Sequence, residues 1–290
     1  MSNYRVIGPA GDAFQIDGIW HQDYNVQDTS TGEHLVKRYK HNGSTWELAE
    51  GSKLDLTKNI PDTPAGINLK KSVINLDKTF INLKKTTGFD LGGHRARVGV
   101  VVDFSGSMRP LYRDGSVQRA LNRLVPLALR FDDNGELDIW LFHNSYRRME
   151  SMALNNFDRY VDDIIIASGE RFGGTKYAPV LEDTANYYCY GKPYDEPPAF
   201  VIFITDGDNS DKAATNNIVR ALSNENIFIQ FVGIGDEEFE YLQKLDDLKG
   251  RDVDNTGFIS VKSFESLSDD QLYKKLLEQY IQWLKVTGRR

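Results

Sequence analysis

From Arg95 onward the chain repeats one pattern: an uninterrupted apolar run, then an amphipathic stretch. The runs are Val98 to Phe104, Leu137 to Phe142, Ala199 to Thr205, Ile227 to Val232 and Gly257 to Val261. They are rich in Val, Ile and Phe and show little polar alternation, which is what a strand covered on both faces requires. Between them lie helical patterns at Val117 to Phe131, Phe157 to Ile165, Ala178 to Tyr188, Lys212 to Ser223 and Phe239 to Leu248. A last helix opens at Ser268, with Gln271 placed to complete a capping box, and its apolar face is Leu272, Leu276, Leu277, Tyr280, Ile281 and Leu284. This alternation predicts an α/β fold: a doubly wound, mostly parallel sheet with helices on both faces and right-handed crossovers. Met149 to Met152 is expected as a short edge strand.

The first third is different. Residues 1–52 are short, polar and dotted with aromatics (Tyr4, Phe14, Trp20, Tyr24, Tyr39, Trp46). Gly and Asn/Asp punctuate them at intervals of about 8 to 12 residues, the spacing of short antiparallel strands. A small N-terminal β-rich module over 1–52 is therefore expected. Residues 53–93 hold a repeat: Ile67-Asn68-Leu69-Lys70 recurs as Ile74-Asn75-Leu76-Asp77 and Ile81-Asn82-Leu83-Lys84. The seven-residue period fits a helical heptad. Within each unit, however, the apolar residues sit at i and i+2, which is strand alternation, and Pro61 and Pro64 break a helix at its start. The preferred reading is a linker of short extended segments over 53–93, followed by the main domain over 94–290.

In open α/β sheets, ligands bind beyond the carboxyl ends of the strands. Asp103-Phe104-Ser105-Gly106-Ser107 follows the first run, Thr205-Asp206-Gly207-Asp208 follows the third, and Gly173-Gly174-Thr175 precedes the helix at 178. Asp103 is a hard oxygen ligand at a strand end. Ser105 and Ser107, spaced by two, place both hydroxyls on the same side as Asp103, and Gly106 allows a tight turn between them. Asp206 arrives on a neighbouring strand, and Thr175 offers a third hydroxyl from a flexible loop. Two carboxylates, hydroxyls and water suit a hard cation such as Mg²⁺, or Mn²⁺ or Ca²⁺, and with no His or Cys in the set they argue against Zn²⁺. Neutral hydroxyls leave the ion with residual positive charge and a place for an incoming oxygen.

The segment over 96–131, with Phe172-Gly173-Gly174-Thr175-Lys176-Tyr177 and Phe203-Ile204-Thr205-Asp206-Gly207-Asp208, resembles the von Willebrand factor A (vWA) domain of the bacterial tellurium-resistance (Ter-type) stress proteins. The resemblance covers roughly 94–290. The metal-ion-dependent adhesion site (MIDAS) pattern Asp-x-Ser-x-Ser, Thr, Asp matches at Asp103, Ser105, Ser107, Thr175 and Asp206 without substitution. The resemblance implies that all five bind the metal directly or through water. It also implies a protein partner that supplies an Asp or Glu carboxylate, in a stress-response or tellurite-resistance assembly.

Other chemistry is poorly supported. Gly233-Ile234-Gly235 has Glu238 where a dinucleotide fingerprint needs glycine, Gly174-Thr175-Lys176 lacks the upstream glycine of a phosphate loop, and Ser105 lacks the glycine of a nucleophile elbow. His143 reads as a satisfied loop residue, and Asp208 and Asp211 as candidates to support the site. A formal net charge of −7 does not attract nucleic acid or an anionic membrane in bulk, although residues 51–90 carry seven Lys against four Asp. The single cysteine, Cys189, reads as a buried structural thiol in a reducing compartment. With no signal peptide and no run of about 18 apolar residues, a cytoplasmic protein without membrane insertion is expected. The leading expectation is a metal-dependent interaction module and not an enzyme. A metal-dependent phosphohydrolase, and a scaffold in which the metal is only structural, stand as alternatives.

Overall fold

The computed structural model describes residues 4–9, 14–16, 19–32, 34–41, 46–48, 60–132, 134–193 and 196–289. In the N-terminal part, β1 (Tyr4–Pro9), β2 (Phe14–Ile16), β3 (Ile19–Asp28), β4 (His34–His41) and β5 (Trp46–Leu48) pair antiparallel in the order β1-β3-β4-β5, with β2 also on β3. Asp28 Oδ1 accepts from the Ser30 amide at 2.9 Å and Gly32 takes φ 71°, which together close the β3–β4 turn. Val26 and Tyr39 are buried there, with Tyr24 edge-on to Tyr39 at 5.3 Å.

The main sheet contains β6 (Arg97–Asp103), β7 (Asp138–Phe142), β8 (Tyr146–Arg148), β9 (Ala199–Thr205), β10 (Ile227–Ile234) and β11 (Thr256–Val261). Its order is β11-β10-β9-β6-β7-β8, parallel throughout except where β8 turns back on β7. Alternate residues of β6, β7, β9 and β10 enter two separate cores. Val98, Val100, Val102, Phe200, Ile202 and Ile204 face one, and Val101, Trp140, Phe142, Val201, Phe203 and Phe231 face the other. On the first side pack α1 (Pro64–Thr87), α3 (Ser116–Phe131) and α7 (Asp269–Thr287). On the second pack α4 (Ala178–Tyr188), α5 (Lys212–Ala221) and α6 (Glu240–Asp246), while a short α2 (Arg109–Arg113) follows β6. The doubly wound α/β reading therefore holds, and the capping box at Ser268 and Gln271 opens α7 as expected. Among the described residues no helix is long and apolar enough to cross a membrane.

Three expectations need correction. The reading of 53–93 as an extended linker fails for residues 64–87, which form α1, while residues 51–59 lie outside the described residues. Pro64 occupies the first turn, where its missing N–H costs nothing, and Thr63 caps the helix by accepting from the Gly66 amide at 3.0 Å. The seven-residue period, not the local i, i+2 pattern, was the informative one: Leu69, Leu76 and Leu83 are buried, whereas Ile67, Ile74 and Ile81 are exposed. Leu69, Val73, Leu76, Phe80 and Leu83 join the core of the main sheet, so that body begins before residue 94. Second, the edge strand is Tyr146–Arg148, and Met152 makes only an isolated bridge to Leu137. Third, Phe157 to Ile165 is built of short 3₁₀ and π turns instead of an α-helix.

Because Leu76 is fully buried and Ile74 is 46% exposed on the same helix, Leu76→Ala should lose about 2–5 kcal/mol, whereas Ile74→Ala stays within about 0.5 kcal/mol. Urea unfolding of the full chain measures both. Equal effects would remove α1 from the core.

Candidate metal centre

The centre lies where the chain changes direction across the sheet. From β6 the path runs to β7 on one side, while β9, β10 and β11 extend on the other. The loops after β6 and β9 therefore splay apart and leave a crevice between adjacent strand ends. Asp103 is the last residue of β6 and is completely buried. Its Oδ1 accepts from the Ser105 amide at 2.7 Å and its Oδ2 from the Thr205 hydroxyl, on the neighbouring β9, at 2.6 Å. Tyr112 donates to the Asp103 carbonyl at 3.0 Å. The carboxylate is thus held from both sides before any ligand arrives.

From Asp103 the polar atoms run outward in sequence. Ser105 Oγ lies 3.0 Å from Ser107 Oγ, and Ser107 Oγ donates to Asp206 Oδ1 at 2.9 Å. The structure therefore brings Asp103, Ser105, Ser107 and Asp206 together from two strand ends. Thr175 lines a cleft of about 710 Å³ that Ser107 and Asp206 also line. Burial pushes the Asp103 carboxyl up to about 6, opposed by the hydrogen bonds from Thr205 and Ser105 and reinforced by the charge of Asp206. Burial also raises Asp206, against the hydrogen bond from Ser107. Two carboxylates in a partly dry crevice disfavour ionisation, and positive charge placed between them reverses that cost. The donor set, two carboxylates and aligned hydroxyls, fits a hard divalent cation. Among the described residues no three His, Cys, Asp or Glu side chains cluster as a metal-holding group, so any cation here depends on the hydroxyls.

The loop carrying Thr175 is tied into place at several points. Gly106 N donates to Gly173 O at 3.0 Å, Gly173 N to Phe104 O at 3.2 Å, and Lys176 N to His143 O at 2.9 Å. The glycine requirement sits here and not at Gly106, where an added Cβ would meet only Gly173 O at 3.9 Å. A Cβ on Gly173 would come within 3.0 Å of His143 Cβ, and one on Gly174 within 2.4 Å of Asn144 Oδ1. His143 is engaged with Glu170 at 3.1 Å and accepts from the Ser145 amide. Cys189 is buried, and burial pushes its thiol up to about 12.

Two supporting residues are not legible in the sequence. Thr205 and Tyr177 look like ordinary strand and loop residues, yet Tyr177 is buried and donates to Gly207 O, its hydroxyl lying 3.2 Å from Thr205 Oγ1. Asp211, expected as a support of the site, directly precedes α5 but makes no side-chain cap there. Instead it crosses to the start of α4, accepting from the amides of Tyr177 at 3.0 Å and Ala178 at 2.9 Å and from Asn209 at 2.6 Å. Asp208, by contrast, is exposed and pairs with Lys212 at 2.5 Å. Asp211→Ala should therefore cost about 1–2 kcal/mol in a denaturant titration, as loss of a helix cap does. Asp208→Ala should cost less than about 1 kcal/mol, the scale of a surface ion pair. Equal losses would show that Asp211 does not hold the loop.

A family model for the vWA-TerF-like domain, the vWA found in TerF C terminus, matches residues 95–290. The uncharacterized protein YcbR of Bacillus subtilis (strain 168) is 42% identical over 192 residues, which cover 66% of this chain and 78% of that protein. Among solved structures, BatB from Bacteroides thetaiotaomicron is similar over 64% of this chain and 99% of its own, at 15% identity and TM-score 0.48. The ArnB paralog VWA2 from Sulfolobus acidocaldarius is similar at 16% identity and TM-score 0.38 over 64% of this chain, which spans only 46% of that one. Proximal thread matrix protein 1 from the mussel byssus, with a zinc-occupied MIDAS motif, is similar at 19% identity and TM-score 0.46, over 65% of this chain and 46% of its own. The chain belongs to the vWA-TerF-like family.

Proposed function

We propose that the chain is a metal-dependent protein-interaction module. It holds one divalent cation, of the Mg²⁺, Mn²⁺ or Ca²⁺ class, through Asp103, Ser105, Ser107, Thr175 and Asp206, and captures an Asp or Glu carboxylate of a protein partner. The observation that carries this reading is the chain of hydrogen bonds from buried Asp103 through Ser105 and Ser107 to Asp206, which lines a cleft. Each chain residue has a distinct part. Thr205 and the Ser105 amide keep Asp103 from rotating away. Ser105 and Ser107 present neutral oxygens, and Asp206 supplies the second negative charge at the mouth. A bound cation would supply positive charge only partly neutralised by this set, which is the condition for taking up an acidic side chain.

An interaction role is favoured over hydrolysis because, among the described residues, no imidazole hydrogen-bonds Ser105 or Ser107. His143 is committed to Glu170 and to the Ser145 amide. The family suggests the setting, a stress-response or tellurite-resistance assembly inside the cell, where a buried lone thiol needs no partner.

Crosslinking mass spectrometry from native cells tests this. Cross-links from the loops around Ser107, Thr175 and Asp206 to a partner should be present in the wild type, and lost both in Asp103→Ala and after chelation with EDTA. An unchanged cross-link set under both conditions contradicts the reading, as does metal-dependent turnover of a phosphoester panel that Asp206→Ala abolishes.

A further inference from the structure

The repeat that becomes α1 carries more information than its own core uses. Its inner seam, Gly66, Leu69, Val73, Leu76, Phe80 and Leu83, advances by alternating steps of three and four residues and is buried against α3 and α7. A second seam with the same alternation runs along the outside: Ile67, Lys71, Ile74, Lys78, Ile81 and Lys85. At 3.6 residues per turn, steps of four and three keep such a series on one line of the helix surface. The three isoleucines are 47%, 46% and 56% exposed, and the three lysines are exposed as well.

The lysines of this seam differ from their neighbours. Lys70 pairs with Asp62, and Lys84 pairs with Asp90. Lys71, Lys78 and Lys85 have no acidic partner among the described residues. The single acid of the helix, Asp77, turns to the other side and pairs with Arg130 of α3. The outward line therefore contains only isoleucine and unneutralised lysine, in a heptad phase that nothing in the core demands.

We infer that this seam is a docking surface for a helix of a partner protein whose own seam alternates apolar and acidic residues. Knobs-into-holes packing accepts the isoleucines at one heptad position, and carboxylates opposite Lys71, Lys78 and Lys85 neutralise the other. A second copy of this chain is a poor occupant. A parallel pair sets lysine against lysine, and an antiparallel pair presses each ammonium against isoleucine. Both arrangements disfavour self-association, and the lysines thereby select the partner's charge. A membrane surface fits less well, because one isoleucine every two turns makes a thin line and not an apolar face. This surface is independent of the cation proposed above.

The test uses the full-length chain and labelled three-heptad helical peptides, followed by fluorescence anisotropy. Two peptides carry leucine and glutamate in either seam order, and two controls carry lysine in place of glutamate. The wild type should bind one acidic peptide at least about tenfold more tightly than either basic one, more weakly at high salt, and equally with Mg²⁺ or EDTA. The triple variant Lys71→Glu, Lys78→Glu, Lys85→Glu should reverse the preference and gain binding to a basic peptide, a result that an unfolded protein would not give. The inference is overturned if the wild type does not distinguish the peptides or the triple variant keeps the wild-type preference. It is also overturned if vesicles of phosphatidylglycerol and phosphatidylcholine capture the chain while the acidic peptides do not.

Discussion

The arrangement depends on one buried carboxylate. Asp103 ends the central strand fully buried, and its two oxygens are satisfied by a hydroxyl from the adjacent strand and an amide from its own loop. An ionised group in such a place is costly unless it is hydrogen-bonded or offset by opposite charge. Those two hydrogen bonds fix its orientation, but they leave the charge itself uncompensated. The hydroxyls of Ser105 and Ser107 and the carboxylate of Asp206 then extend the polar path toward solvent. The candidate centre is therefore an opening in an otherwise apolar sheet at the position where its topology separates the loops.

The fold was legible wherever burial on both faces removed ambiguity. Ala199–Thr205 and Ala178–Tyr188 have the bounds that their sequence patterns indicate, because no polar residue interrupts the strand and the apolar residues of the helix recur at helical spacing. The strand-end motifs were legible for a related reason. In a parallel sheet the carboxyl ends share one edge, so a carboxylate placed directly after each of two runs meets the other in space. Asp103 and Asp206 are joined there through Ser107 and Ser105.

What was not legible involved competition between two signals, or contacts distant in sequence. In the 64–87 repeat, Ile-Asn-Leu reads as strand over three residues and as helix over fourteen, and burial of Leu69, Leu76 and Leu83 decides for the helix. Asp211 is a candidate support from its nearness to Asp206 in sequence, but the way it acts, its side chain turning back across 34 residues to the start of α4, is not a local signal. In sequence Gly106 reads as allowing a tight turn between two serines, yet the close approach occurs at Gly173 and Gly174, against His143 and Asn144. These outcomes depend on which loops are neighbours, and local patterns do not carry that information.

The central claim concerns where positive charge settles. Crystals of the full chain grown with Mn²⁺ and measured at the manganese absorption edge address it directly. The account predicts one anomalous peak touching the hydroxyl oxygens of Ser105 and Ser107, in the space shared with Asp103, Thr175 and Asp206. A peak held instead by Asp208, Glu237 or Glu238 elsewhere in the cleft, or no peak at the serines, would contradict it.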